Sequence, residues 1–257
     1  MNDLYQNSQK YFEIVLADTT ELLEHVYRIR YQVLCVQNTF PDMDAIDYPD
    51  KMERDEYDDH SCHALLRFRP SGDFVGAVRL ILCNPLQPGK LFPVELNTQL
   101  DTSLCNIKAL PRQQIAEISR SVVIRQFERR ERDRRCINDR RQQEVNVNSE
   151  KRATTERRSS DRRATPHLSL LLMAAVLRMS VKYNIRHWFS ATEPALNRLL
   201  GFYGLSFTPV GPPVSYHGIR RPYYMQVEDA LNKMYKEYHD AWEVLTECGE
   251  FNPIQSS

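Results

Sequence analysis

Between residues 128 and 163 this 257-residue chain has no aromatic side chain and only five apolar ones, Cys136, Ile137, Val145, Val147 and Ala153. Five Arg-Arg pairs recur there in a loose RRxxDRR pattern. A stretch this polar cannot bury enough surface to offset its chain entropy, so 128-163 is expected to be a disordered arginine-rich insertion. The fold must then be assembled from the two flanking stretches, within a single domain spanning 1-257. The insertion carries 13 basic and 8 acidic side chains, and the rest of the chain 21 and 26. The formal net charge of zero therefore hides a basic segment on an acidic globule. That balance excludes a uniformly basic nucleic-acid-binding protein. No aromatics interleave with the arginines to stack bases, so nucleic acid is not an expected partner.

The first ten residues, MNDLYQNSQK, lack a basic region followed by an apolar stretch, so no secretory signal is read. The most apolar run, Leu168 to Leu177, is far short of the ~20 residues that span a bilayer. Six scattered cysteines without a CxxC pair suggest reduced thiols. A cytoplasmic location is expected.

Hydrophobic periodicity orders the flanking stretches. Tyr11 to Leu16 reads as a strand, and Asp18 to Glu21 as a capping box opening a helix from about 19 to 35. Leu22, Val26, Ile29 and Val33 form the buried stripe of that helix. Residues 37 to 59, polar and interrupted by Pro41 and Pro49, read as a long loop. Cys62 to Phe68 and Phe74 to Leu82 form a hairpin around the turn residues Pro70 to Asp73. Ile115 to Ile124 is a further strand. Thr165-Pro166 starts a long apolar helix ending near Asn184. A strand over 185–191, a short helix from Pro194 to Gly201, strands at 207–210 and 223–227, and a C-terminal helix over 228–245 complete the order. The expected class is α/β or α+β, a mixed sheet flanked by helices.

Three polar signals interrupt apolar surroundings. In Glu117-Ile-Ser-Arg120, strict strand alternation puts Glu117 and Arg120 on opposite faces. A β-bulge between them would bring both to one side. Arg79 sits in the middle of an apolar strand and is costly there unless paired. The acidic run Asp55 to Asp59 can supply its partners. With Arg30, these residues suggest an ion-pair network shaping a charged cleft. Phosphate-loop, dinucleotide-binding and GxSxG serine motifs are absent from the sequence. His60, Cys62 and His63 lack a second cluster at zinc spacing, so no metal is expected. Nothing around Cys62 argues for a reactive thiolate.

Arg28-Ile-Arg30-Tyr-Gln-Val-Leu34, Asp55-Glu-Tyr-Asp58, Val78-Arg79 and Glu117-Ile-Ser-Arg120 resemble, in order and spacing, the motif set of acyl-homoserine-lactone (autoinducer) synthases. Ser190-Ala191-Thr192 and Leu199 to Tyr203 resemble that family's last common segment. The closest branch is the acyltransferases associated with PEP-CTERM/exosortase systems of bacteria. The resemblance covers roughly residues 11 to 125 and 166 to 210. It implies the acetyltransferase-like GNAT fold, with a mostly antiparallel central sheet.

It also implies an N-acyltransferase that takes a fatty acyl group from an acyl carrier protein thioester and bears no bound cofactor. Glu117 corresponds to a general base acting on the amine of an amino-acid-like acceptor, and Arg120 holds the loop beside it. Arg30, Asp55, Asp58 and Arg79 match the charged acceptor-binding cluster. Ser190 and Thr192 match contacts to the acyl carrier or chain. Leu34 and Phe40 fall where the family shapes its S-adenosylmethionine pocket with phenylalanine and tryptophan. A true S-adenosylmethionine-dependent lactone synthase and a non-catalytic carrier-binding adaptor remain as alternatives. For 128-163 the readings are a solvated loop, carrier-protein capture, or peripheral contact with an anionic membrane.

Overall fold

The computed structural model describes residues 2–38, 43–127, 167–216 and 218–253. Phe40, the 128-163 segment and Thr165-Pro166 lie outside them. Among the described residues the elements run α1 (Asp3–Tyr11), β1 (Phe12–Leu16), α2 (Thr20–Arg30), β2 (Ser61–Phe68), β3 (Asp73–Ile81), α3 (Pro93–Asn97) and β4 (Ile115–Val123). They continue with α4 (Leu168–Lys182), β5 (His187–Thr192), α5 (Pro194–Gly201), β6 (Thr208–Pro209), β7 (Val214–Ser215), β8 (Ile219–Gln226), α6 (Val227–Glu237) and α7 (His239–Thr246). The sheet order is β1-β2-β3-β4-β5-β8-β6, with β7 paired to β8. Every pairing is antiparallel except β4 with β5. This is the mixed, mostly antiparallel α/β sheet of a GNAT-like fold.

Alternation along the strands divides the core between two faces. Ala64, Leu66, Val78 and Leu80 join the apolar helix α4, together with α6 and α7. Leu65, Ala77 and Val122 meet Val26, Ile29 and Val33 of the α2 stripe. Helix α4 is buried along most of its length, as its apolar sequence requires.

The hairpin forms around the Pro70–Asp73 turn as its turn residues dictate, with Gly72 at φ +76°. Several boundaries differ from the sequence reading. The N-cap of α2 is Thr19, whose hydroxyl accepts from Leu22 N at 3.3 Å, rather than Asp18. Past Arg30 this helix widens into a π-helical segment, Tyr31–Gln37. His167 caps α4, its ring nitrogen accepting from Ser169 N. The C-terminal helix breaks at Tyr238, where φ is −137°. Helix α1 gave no sequence signal because it buries only Leu4 and Ser8.

Candidate active site

The strand β4 carries the bulge that its sequence suggested. Ala77 pairs with Val122 and Arg79 with Ser119, so Arg120 and Ser121 together face Val78. Arg120 takes φ +50°, a left-handed conformation that costs a non-glycine residue about 1 kcal/mol. The kink turns Arg120 toward the face that already holds Arg79, Glu117 and Ser119.

Three guanidinium groups and three carboxylates interlock there. Arg30, fully buried, donates through Nε to Glu53 at 2.5 Å and forks onto Asp58 at 2.7 and 3.1 Å. Arg79 forks onto Asp55 at 2.5 and 3.0 Å, reaches Asp58 at 2.8 Å and donates to Ser119 Oγ at 2.9 Å. Arg120 bonds Glu53 at 3.1 Å and Asp55 at 3.0 Å. Forked arginine–carboxylate pairs are the strong, geometrically fixed kind. Asp55 and Asp58, from the expected acidic run, are thus partners of Arg79 and Arg30, but Arg30 also pairs with Glu53, which was not expected.

Burial alone would push the carboxyls up, but the arginines prevail. Glu53, Asp55 and Asp58 are all held below their ordinary range, and Arg30 is held firmly charged. His63 lies 3.6 Å from Asp58, but burial and Arg30 hold it down at about 4. That contact is accordingly not an ion pair near neutral pH.

Glu117 stands apart from this network. Its carboxylate accepts from Val94 N at 2.8 Å, in the first turn of α3, where Pro93 has no N–H to offer. Burial pushes Glu117 up to about 8, against the Val94 hydrogen bond and the pull of Arg79 and Arg120. A carboxyl poised this close to neutral pH suits proton transfer.

Glu117 also marks where the sheet opens. The parallel strands pair at Ile115↔His187, Ala116↔Trp188 and Glu117↔Phe189, and no further. Beyond that point β5 follows β8 while β4 stays with β3. Ser190 Oγ reaches back across the gap to Ile118 O at 3.1 Å. A cavity of about 730 Å³ fills the opening, lined among others by Asp55, Arg79, Glu117, Arg120, Ser190 and Thr192. Leu34, from the π-helical segment, reaches the same cavity. Arg30 and Asp58 are not on its wall and act from behind it.

Sequence reasoning missed Glu53, whose side chain is fully buried between Arg30 and Arg120. Counting charges signals that a third carboxylate is needed, because three inward arginines exceed what Asp55 and Asp58 can neutralise, but it does not say which one. It also missed Tyr216, which lines the cavity from the β7–β8 connection. Cys62 is pushed up to about 11, chiefly by burial, and is no thiolate. Among the described residues no His, Cys, Asp and Glu side chains group to hold a metal. Nor is any helix long and apolar enough to cross a membrane.

Residues 29–137 match the acetyltransferase (GNAT) domain family. No curated protein matches the chain in sequence. Among solved structures, TofI in a ternary complex with an inhibitor and MTA superposes with a TM-score of 0.53 at 17% identity, covering 91% of this chain and 96% of that one. The CoA-dependent acyl-homoserine lactone synthase BjaI, with SAM and isopentyl-CoA, gives 0.52 at 19% identity over 93% and 99%. FeeM, an N-acyl amino acid synthase from uncultured soil microbes, gives 0.50 at 10% identity over 88% and 96%. Identities this low speak for the fold alone, and with the domain match over residues 29–137 they establish that the chain has the acetyltransferase (GNAT) fold.

Proposed function

We propose that the chain is an N-acyltransferase that moves a fatty acyl group from an acyl carrier protein thioester to the amine of an amino-acid-like acceptor. The observation that carries this reading is Glu117, a buried carboxyl raised to about 8 at the point where β4 and β5 part. In its ionised form Glu117 takes a proton from the acceptor amine, directly or through water. The amine nitrogen then attacks the thioester carbonyl carbon, and the tetrahedral intermediate expels the thiolate, which takes up a proton. The unpaired edge of β4 beyond Glu117 offers main-chain groups to a pantetheine arm.

Asp55, Arg79 and Arg120 bind the acceptor, Leu34 shapes its pocket, and Arg30 and Asp58 brace the cluster. Ser190 and Thr192 flank the donor. The carrier protein is favoured over CoA as donor by the basic 128-163 segment, which follows Arg125 and Phe127 at the end of β4 and suits an acidic partner. The same segment suits peripheral contact with an anionic membrane. The whole chain is then one domain with 128-163 inserted in it, in a cytoplasmic enzyme of the PEP-CTERM/exosortase-associated branch.

The test is incubation with a long-chain acyl carrier protein or the matching acyl-CoA, a pool of amino acids and S-adenosylmethionine, read by mass spectrometry. An acyl-amino acid formed from the carrier-bound donor supports the reading and names the acceptor. An acyl lactone released with methylthioadenosine replaces it with a lactone synthase. Carrier bound but thioester unconsumed replaces it with an adaptor.

A further inference from the structure

The cavity passes through the opening in the sheet and changes character as it does so. On the face of Glu117 and Ser119 its wall is polar, with Asp55, Arg79, Arg120 and Tyr216. On the opposite face it is lined by Ile118, Val123, Met173, Leu196, Leu200 and Phe207. All six of these belong to the main apolar core or pack against it. Alternation along β4 separates the two ends, since Ile118 points away from Glu117. An occupant lying against these six side chains has to be apolar there, because none of them can pair with a polar group, while Ser169 and Asn197 are the polar side chains of α4 and α5 that reach the cavity. A fatty acyl chain meets that requirement.

Among these side chains Phe207 is the one held by both its backbone and its ring. Asn197 clamps its backbone twice, Nδ2 donating to Phe207 O at 3.1 Å and Oδ1 accepting from Phe207 N at 3.0 Å. The ring stacks on Trp188 at 6.3 Å and 23°. Trp188 is itself fully buried and donates through Nε1 to Ser180 Oγ at 2.8 Å. Met173 can yield by changing rotamer and Leu196 is half-buried, whereas Phe207 has its backbone held and its ring against Trp188.

We propose that Phe207 is the end-stop of the acyl arm and sets the longest chain the donor can carry. The inference rests on the acyltransferase reading and adds to it a residue that decides donor chain length.

The test uses acyl-pantetheine thioesters in two-carbon steps from butyryl to palmitoyl, each read for turnover and for binding by thermal shift. Phe207→Ala deepens the arm and moves the optimum to longer chains. Each newly buried methylene is worth about four-fold in kcat/KM, so a donor two carbons longer gains roughly fifteen-fold relative to the wild-type optimum. Leu196→Trp narrows the arm without emptying the core and moves the optimum to shorter chains, and Phe207→Leu, a smaller cut that keeps the core filled, replaces Phe207→Ala if that variant does not fold. Product formed with neither optimum moved overturns the end-stop and leaves the transferase standing. Binding optima that move without any product keep the end-stop and remove the transferase. Wild-type protein indifferent to chain length in both readouts overturns the end-stop as well.

Discussion

Glu117 and Phe189 are the last residues to pair between β4 and β5, and the carboxylate of Glu117 is fastened at that point to the amide of Val94 at 2.8 Å. One residue thus ends the parallel ladder and presents the raised carboxyl to the cavity. Glu117→Gln keeps the shape and can still accept from Val94, but it cannot take a proton. A fall in kcat of about 10²–10⁴-fold is expected, with an unchanged far-UV spectrum. Wild-type turnover in the variant would remove Glu117 from the chemistry.

The same carboxyl couples stability to pH. Its folded value, about 8, lies above its ordinary 4.5. Below the ordinary value both states are protonated and the contribution is fully present. As pH rises toward 8 the unfolded chain releases its proton while the folded one retains it, so stability falls across that window. Urea titrations of wild type and Glu117→Gln should diverge over the same range, with the flatter profile in the variant. Wild-type kcat/KM should rise with pH and level off above about 8.

Glu53 is the residue on which Arg30 and Arg120 converge. Its removal leaves two guanidinium groups short of a partner, one of them fully buried. Glu53→Ala is expected to cost about 3–5 kcal/mol in chemical denaturation, well beyond an ordinary surface change. A loss under 1 kcal/mol would mean that the network re-pairs without it.

Gly211 has no room for a side chain, since a Cβ there would lie 2.0 Å from Gln99 O and 2.8 Å from Pro222 Cγ. Gly211→Ala must push the 98–101 loop away from β8, at a cost of about 1–3 kcal/mol. Gly89 has nothing within 4 Å of the same position. Thermal melts of both variants check this, and in them Gly89→Ala should be neutral or stabilising by up to ~1 kcal/mol.

Much of the fold was legible because its signals are local. The hairpin announces itself through Pro70 to Asp73, and α2 through a stripe at helical spacing. The core of the site was legible for a different reason. Arg79 inside an apolar strand has to be paired, and a bulge is one of the two arrangements that the spacing of Glu117 and Arg120 allows, the other being a solvent-facing charge. Glu53 was hidden because, in Lys51-Met52-Glu53-Arg54, it looks like any solvated loop carboxylate. Only its distant partners Arg30 and Arg120 identify it. Phe207 was hidden likewise, because its role depends on Asn197 and Trp188, which sequence spacing does not bring together. The break at Tyr238 carries neither glycine nor proline, and so it left no mark to read.

The single parallel pairing in the sheet has a consequence for how this chain can vary. Parallel neighbours cannot be joined by a tight turn, so the connection from β4 to β5 has to cross back from the end of one strand to the start of the other. Residues 128-163 fall within that obligatory detour. Each doubling of such a connection costs only about 0.6 kcal/mol of closure entropy. A change in the length of residues 128-163 is therefore expected to cost little in closure entropy while every strand register beside Glu117 stays as it is.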